Sequence, residues 1–120
     1  MSCTQPRNWL GKPTEAALLM ELVDGVPLDQ EMPAGGLIAI VDCFIQAANA
    51  LHGLHGMGYV HCDIKPANLL VSAEGVTKVI DLGQACAIGT QKQRIQGTPD
   101  FIAPEQVKRE PVTPKTDVFN

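Results

Sequence analysis

Apolar residues gather into runs separated by turns rich in proline and glycine, and these runs predict the elements of the fold. The almost continuous apolar run from Ala16 to Val23 predicts a buried strand, which Asp24-Gly25 would end. Two prolines and a glycine pair in residues 26–36 predict a loop, with a short helical turn after Leu28-Asp29. From Leu37 to Met57, apolar residues recur at three- and four-residue steps and leave little polar face. This pattern predicts a central helix that its neighbours bury.

Shorter elements follow this helix. Residues 59–61 predict a short strand, and residues 69–71 and 76–80 predict a hairpin whose turn is Ser72-Ala73-Glu74-Gly75. Residues 106–110 predict a helical turn. Short strands mixed with helices predict the α+β class.

Composition narrows the range of partners. A net charge of −4 and a pI near 5.2 provide no basic surface for nucleic acid or an anionic membrane, so we expect neither as a partner. The four cysteines form no Cys-x-x-Cys pair and the N-terminus has no signal-peptide pattern, so reduced thiols and a cytoplasmic location are expected. A membrane-spanning role for the long helix is disfavoured, because Asp42, Gln46 and Asn49 interrupt it and its flanks lack basic anchors.

Two histidines, His52 and His55, lie near the C-terminal end of the predicted helix. A histidine there can bond the last carbonyls or face the negative end of the helix dipole. A His-x-x-His zinc pair is the alternative, and it is disfavoured because no cysteine or carboxylate partner stands at a suitable spacing.

The candidate chemistry lies on the loop His61–Asn68. Asp63 could accept a proton from an attacking hydroxyl, Lys65 could neutralise a transferring phosphate, and Asn68 could offer a neutral oxygen to a hard cation. A second carboxylate, Asp81, follows the β-branched run of the hairpin and precedes Leu82-Gly83, which suits a metal ligand at a strand end. Each polar residue alone is compatible with a simple turn, but the ordered set favours a site.

Three motifs extend this set and resemble those of the eukaryotic-type protein kinases. His61-Cys62-Asp63 is similar to the His-Arg-Asp of their catalytic loop, Asp81-Leu82-Gly83 to Asp-Phe-Gly, and Ala103-Pro104-Glu105 to Ala-Pro-Glu. Lys65, two positions after the aspartate, resembles the serine/threonine subclass, and the overall pattern resembles bacterial members. The resemblance implies a partial kinase-like fold, with residues 1–15 as a remnant of the N-lobe and residues 16–120 running from the hinge to the start of the central C-lobe helix.

The resemblance also implies roles, with ATP and Mg²⁺ as cofactors and a protein carrying an acceptor Ser or Thr as the substrate. Asp63 and Lys65 would be catalytic, and Asn68 and Asp81 would hold magnesium. The other implied residues fall into three groups: those that contact the nucleotide, those in the activation and substrate-docking segment, and those that support the catalytic loop. The first group is Met20, Glu21, Val23 and Leu70, the second is Thr90, Thr98 and Glu105, and the third is His61, Leu82 and Asp117.

Cys62 departs from the family pattern, which usually has an arginine before the catalytic aspartate. That arginine pairs with a phosphate on the activation segment, and a cysteine cannot do this. We therefore expect activity to depend weakly on phosphorylation of that segment. The sequence shows no sign of a lowered thiol pKa, so a redox role for Cys62 or Cys86 is not predicted.

The motifs of the phosphate clamp upstream and of the lower C-lobe downstream are not present in these 120 residues. We therefore expect the isolated chain to fold marginally, bind nucleotide poorly and show no kinase activity. Two alternatives stay open: a small-molecule phosphotransferase of related fold, such as an aminoglycoside kinase, and a non-catalytic pseudokinase or binding fragment. The sequence does not indicate an oligomeric state.

Overall fold

The computed structural model describes residues 2–4 and 17–120 of the chain. Its strands are short, and in chain order they are β1 (Ser2–Thr4), β2 (Ala17–Leu19), β3 (Val26–Pro27), β4 (Tyr59–Val60), β5 (Leu69–Val71), β6 (Thr77–Val79) and β7 (Cys86–Ala87). The helices are α1 (Leu37–Gly56), α2 (Pro104–Lys108) and α3 (Pro114–Phe119), with single 3-10 turns at Pro66–Asn68 and Leu82–Gln84. This mixture confirms the predicted α+β class.

All strand pairs of the described chain are antiparallel. β1 pairs with β2, β4 pairs with β7, and β3, β5 and β6 form a three-stranded sheet with β5 in the centre. The predicted hairpin is confirmed, and its turn closes through the bond from Gly75 N to Ser72 O at 2.9 Å. β3 and β7 were not predicted, because two residues are too few to show an alternating pattern.

The predicted strand over residues 16–23 is shorter than expected, and the prediction that it is buried is wrong. β2 ends at Leu19, and Leu19 and Leu22 are 73% and 92% exposed. Within the described residues β2 pairs with β1 alone. Most of the expected N-lobe remnant, residues 1–15, lies outside the described residues.

Helix α1 begins and ends where the sequence predicted. Gly35 and Gly36, with φ of +114° and +63°, turn the chain into the helix, and Met57 N closes its last turn on Gly53 O at 3.2 Å. The side chain of Gln46 then fastens α1 to the hairpin, since its Nε2 donates to Gly75 O and its Oε1 accepts from Thr77 N, both at 2.9 Å.

The prediction that α1 is buried on nearly all sides is wrong. Only Cys43 and Ala47 of the helix are buried, whereas Ile38 is 83% exposed. The covered face packs on β4 and β6, while Phe44 and Ile45 are each more than half exposed. By length and composition alone α1 could cross a bilayer, but this is weak evidence, because the core helix of a soluble protein meets the same criteria.

Two small apolar clusters hold the elements together. The first joins the three-stranded sheet to α1 and consists of Leu28, Ala47 and Leu69, with Val71 and Val79 packed against them. The second lies beneath the β4–β7 pair and consists of Val60, Cys62 and Val112, with Cys86 packed against them. The loop His61–Asn68 runs from the second cluster to the first, so both clusters fix its ends.

Candidate active site

The backbone of the loop after β4 is held in place by one buried carboxylate. Asp117, buried in α3, accepts the backbone N–H of His61 through Oδ2 at 2.9 Å and that of Cys62 through Oδ1 at 2.8 Å. Its Oδ2 is also 2.7 Å from Nε2 of His55, near the end of α1. Cys62 has a left-handed φ of +67°, a costly conformation for a residue with a side chain. Asp117 therefore fixes a strained turn directly before Asp63.

Asp63 is buried, and two side chains engage its carboxylate. Lys65 Nζ donates to Oδ2 at 3.0 Å, while the backbone N–H and the hydroxyl of Thr98 donate to Oδ1 at 3.0 and 2.9 Å. Lys65 also donates to the Thr98 hydroxyl oxygen at 2.7 Å, so the side chains of Asp63, Lys65 and Thr98 form a network in which each bonds the other two. The structure thus brings together two loops that are far apart in sequence.

This network sets the charge of Asp63. Burial by itself would raise the pKa of the Asp63 carboxyl, but hydrogen bonds from Lys65 and Thr98 and the positive charge of Lys65 outweigh it and lower the pKa below its ordinary value. Asp63 is therefore ionised at neutral pH. A carboxylate with a lowered pKa is a weak base, so it is better suited to orienting a hydroxyl than to removing its proton early.

His61 links this loop to the strand that carries the second carboxylate. Its Nδ1 accepts the N–H of Asp63 at 3.3 Å, so the ring hydrogen is on Nε2, which donates to Ile80 O at 3.0 Å. Ile80 N in turn donates to Asn68 O at 2.9 Å. The residue directly before Asp81 is thus bonded to both ends of the His61–Asn68 loop.

Asn68 and Asp81 have the chemistry expected of ligands for a hard cation. Asn68 is buried and donates its amide N–H to Asp63 O at 2.8 Å, so its amide oxygen is left to offer a cation. Asp81 is exposed, with φ of +63°, and its Oδ1 accepts from Gly83 N at 3.1 Å. Magnesium is commonly held by one or two carboxylates together with substrate phosphates, so these oxygens fit it.

The implied nucleotide residues lie on or near the three-stranded sheet. Leu70 on β5 is half-buried and pairs with Lys78 on β6, and Lys78 forms an ion pair with Glu21. Met20 is 50% exposed and Val23 is half-buried. The segment that carries Glu21 is therefore tied to the sheet beside Leu70.

Three implied residues surround the loop less closely. Leu82 is 43% exposed, so it fills no core position among the described residues, because the 3-10 turn after Asp81 lies at the surface. Thr90 is half-buried, and its backbone oxygen accepts from Val112 N at 3.0 Å, while the neighbouring Gly89 N donates to Val112 O at 2.8 Å. Glu105 accepts the Thr116 hydroxyl at 2.6 Å, which joins α2 to α3.

The alternative zinc pair receives no support. His55 is bonded to Asp117, as described above, and His52 is exposed. In the described part of the chain, no three histidine, cysteine or acidic side chains gather closely enough to hold a metal ion.

Comparison with known proteins assigns the chain to a family. A family model described as "Protein kinase domain" matches residues 4–120. The chain belongs to the protein kinase family. This confirms the kinase-like fold that the three motifs predicted.

Three of the curated relatives that this chain resembles are bacterial kinases. Serine/threonine-protein kinase PknA of Mycobacterium tuberculosis is 36% identical over 117 residues, which are 92% of this chain and 27% of that protein. PknB of Mycobacterium leprae is 37% identical over 114 residues, or 86% of this chain and 18% of that protein. A probable PknB of Bifidobacterium longum is 36% identical over 112 residues, or 86% and 16%. The chain thus spans about a quarter or less of these relatives.

Sequence reasoning missed Gln106, which connects the kinase loops from within α2. It is buried, and its Nε2 donates to Cys62 O at 2.8 Å and to Gln96 O at 3.2 Å. Its Oε1 accepts from Ala103 N and from Asn120 Nδ2, both at 2.9 Å. The sequence carries no signal for this role, because one polar residue in a five-residue helix has no period to show that it points inwards.

Proposed function

We propose that the natural protein containing this chain is a serine/threonine protein kinase that transfers the γ-phosphoryl group of ATP to hydroxyl groups of proteins. The observation that carries the proposal is the network of Asp63, Lys65 and Thr98, in which an ionised carboxylate is held beside an ammonium group. Phosphoryl transfer needs positioning and charge stabilisation more than covalent chemistry, and this network supplies both.

In this proposal each residue has a distinct task. Asp63 accepts a hydrogen bond from the acceptor hydroxyl, orients it towards the phosphorus and takes up its proton as transfer is completed. Lys65 offsets the negative charge of the transferring group. Asn68 and Asp81 hold magnesium, which when bound neutralises and orients the nucleotide phosphates. Leu70 forms the floor under the adenine, and the backbones at Glu21 and Val23 bind its edge.

A protein substrate is favoured over a small molecule. Thr98 lies in the segment between Gly97 and Glu105, and its backbone and hydroxyl both bond Asp63. A polypeptide docked on that segment would therefore lie beside the carboxylate. Retention of Asp63, Lys65, Asn68 and Asp81 in bonding positions also favours turnover over a pseudokinase.

The test uses the natural protein that contains these residues, assayed with magnesium and ATP on serine/threonine peptides and on an aminoglycoside. We expect peptide phosphorylation, and we expect Asp63→Asn to lower kcat by about 10²- to 10⁴-fold. The control is Asp100→Asn, which changes an exposed carboxylate of the same segment and should leave kcat within about twofold.

Phosphorylation of the aminoglycoside alone would overturn the proposal in favour of a small-molecule phosphotransferase. Full activity of a folded Asp63→Asn protein, checked by circular dichroism, would show that Asp63 has no catalytic task. Absence of transfer to any acceptor by a protein that binds magnesium and ATP would favour a pseudokinase.

A further inference from the structure

Two cysteine sulfurs meet at the junction of the catalytic loop and the activation segment. Sγ of Cys62 is 3.7 Å from Sγ of Cys86. The contact follows from the β4–β7 pair, in which Val60 stands opposite Cys86 and Cys62 comes two residues later. The left-handed φ of Cys62 then turns its side chain back under the strand pair, where its Sγ is 3.8 Å from Val60 O.

The surroundings keep the two thiols together but expose them unequally. Cys62 is completely buried in the cluster with Val60 and Val112, whereas Cys86 at the edge of this cluster is only half-buried. A small oxidant from solvent would therefore reach Cys86 first. The backbone bonds of Cys62 to Asp117 and Gln106 hold the backbone of Cys62 in place beside Cys86.

We propose that Cys62 and Cys86 form a reversible intramolecular disulfide when the protein meets a hydroperoxide. The site is a pair of thiols in van der Waals contact, and bond formation requires the sulfurs to approach to about 2.05 Å. Cys86 is half-buried and can meet the oxidant, whereas Cys62 is buried and its backbone is held in place. In such a pair Cys86 reacts with the oxidant, and Cys62 then attacks the product to form the disulfide.

The chemistry balances in two steps. The Cys86 thiolate attacks a peroxide oxygen, the O–O bond breaks, and Cys86 becomes a sulfenic acid while hydrogen peroxide is reduced to water. Sγ of Cys62 then attacks the sulfenic sulfur, the S–O bond breaks, and the departing hydroxide takes up the Cys62 thiol proton and leaves as water. Overall, two thiols lose two electrons and two protons, and the peroxide accepts them.

Burial raises the pKa of the Cys62 thiol to about 12, with the nearby Lys92 ammonium opposing this shift and Cys86 adding to it. Cys62 is therefore a poor first nucleophile, which agrees with its assignment as the resolving residue. Its contact with Cys86 compensates for low reactivity, since the second step is intramolecular between neighbouring atoms.

The disulfide would connect the residue before Asp63 directly to the activation segment. Its effect on phosphoryl transfer rests on the proposed function, whereas its formation does not. In the family, the arginine at this position binds a phosphate on the activation segment. In this chain, a disulfide at the same position would form in response to an oxidant.

The test is peptide mapping of the folded chain after treatment with hydrogen peroxide and alkylation of the remaining thiols. Cleavage before aspartate separates residues 42–62 from residues 81–99. In the Cys43→Ala variant, Cys62 and Cys86 are the only cysteines of these two peptides. We expect one linked species, lighter than the two free peptides by two hydrogen atoms and separated again by dithiothreitol.

Three controls make the result decisive. The Cys86→Ser variant should give no linked species. The wild-type chain should give the same Cys62–Cys86 link, identified by fragment sequencing. Oxidation of the wild-type chain in guanidinium chloride should instead give mixed pairings of all four cysteines. Recovery of alkylated Cys62 together with Cys86 sulfinic acid, or of intermolecular dimers only, would overturn the proposal. Either outcome leaves the proposed kinase function untouched, because no readout depends on phosphoryl transfer.

Discussion

Asp117 accepts the backbone N–H of Cys62 at 2.8 Å, across 55 residues of sequence. The same carboxylate binds His61 N and His55, so three groups from two elements converge on one buried side chain. Since Cys62 carries a positive φ, the backbone that presents Asp63 depends on a helix at the other end of the described chain.

The first prediction concerns this anchor. Asp117→Ala would leave the buried N–H groups of His61 and Cys62 without an acceptor, and each such loss costs about 1–3 kcal/mol. We expect the free energy of unfolding, measured by urea titration, to fall by about 2–5 kcal/mol. Asp117→Asn keeps one acceptor oxygen, so its free energy of unfolding should lie between those of Asp117→Ala and wild type. Asp100→Ala, at an exposed position, is the control, and an equal loss there would contradict the anchoring role.

Gln106 carries the second prediction. Gln106→Ala would remove the donor to Cys62 O and the acceptor for Ala103 N, so we expect unfolding free energy to fall by about 2–4 kcal/mol. Gln106→Glu keeps the acceptor but places an oxygen against the Cys62 carbonyl, so it should also destabilise. Lys108→Ala changes an exposed residue of the same helix and should have an effect below about 0.5 kcal/mol. Equal urea midpoints for all three variants would show that Gln106 does not hold the loop.

Sequence periodicity predicted the elements whose apolar pattern is long enough to read. Helix α1 was located to within one residue, since its three- and four-residue repeat runs over more than five turns. The hairpin followed from an apolar run and a β-branched run on either side of a turn of small and polar residues. The motifs placed Asp63, Asn68 and Asp81 on connecting loops, which is where the structure has them.

The wrong predictions of burial have one physical cause. A sequence pattern shows which side chains are apolar enough to be buried, but it does not show whether another element packs against them. The apolar run over residues 16–23 and the wide stripe of α1 both predicted burial, yet Leu22 and Ile38 are largely exposed. Gln106 shows the converse, since a single polar residue in a short helix has no period to reveal that it points inwards. The Cys62–Cys86 contact likewise depends on strand register and on a left-handed residue, neither of which spacing encodes.

The third prediction compares the two threonines of the activation segment. Thr98 contributes its hydroxyl to Asp63 and Lys65, whereas Thr90 contributes its backbone oxygen to Val112 N. The position of the family's arginine is occupied by the buried, uncharged Cys62, which cannot bind a phosphate on Thr90. In the natural protein, Thr90→Ala should therefore keep peptide kcat/KM within about twofold of wild type.

Thr98→Ala should instead lower kcat/KM by about 10- to 100-fold, because a hydrogen bond to a charged group is worth about 1.5–3 kcal/mol. Thr98→Ser, which retains the hydroxyl, should recover most of this loss. If Thr90→Ala abolished activity while Thr98→Ala did not, the expected weak dependence on activation-segment phosphorylation would be wrong.

The last prediction concerns stability at high pH. Burial raises the pKa of Cys62 from 9.0 to about 12 in the folded chain, so the folded state retains a thiol proton that the unfolded state releases. The stabilising contribution is complete below pH 9, because the thiol is then protonated in both states. Between about pH 9 and pH 12 it decreases as the pH rises, by at most about 1.4 kcal/mol per unit for one proton.

The measurement is the urea unfolding free energy from pH 8 to pH 11 with a phosphine reductant present, for wild type and for Cys62→Ala. The two proteins differ only at position 62, so the difference between the two curves isolates Cys62. We expect the wild-type curve to fall more steeply above pH 9, and the difference to flatten below it. Parallel curves over the whole range would mean that the Cys62 thiol ionises as easily in the folded chain as in the unfolded one, and hence that the cluster around β4 and β7 admits water.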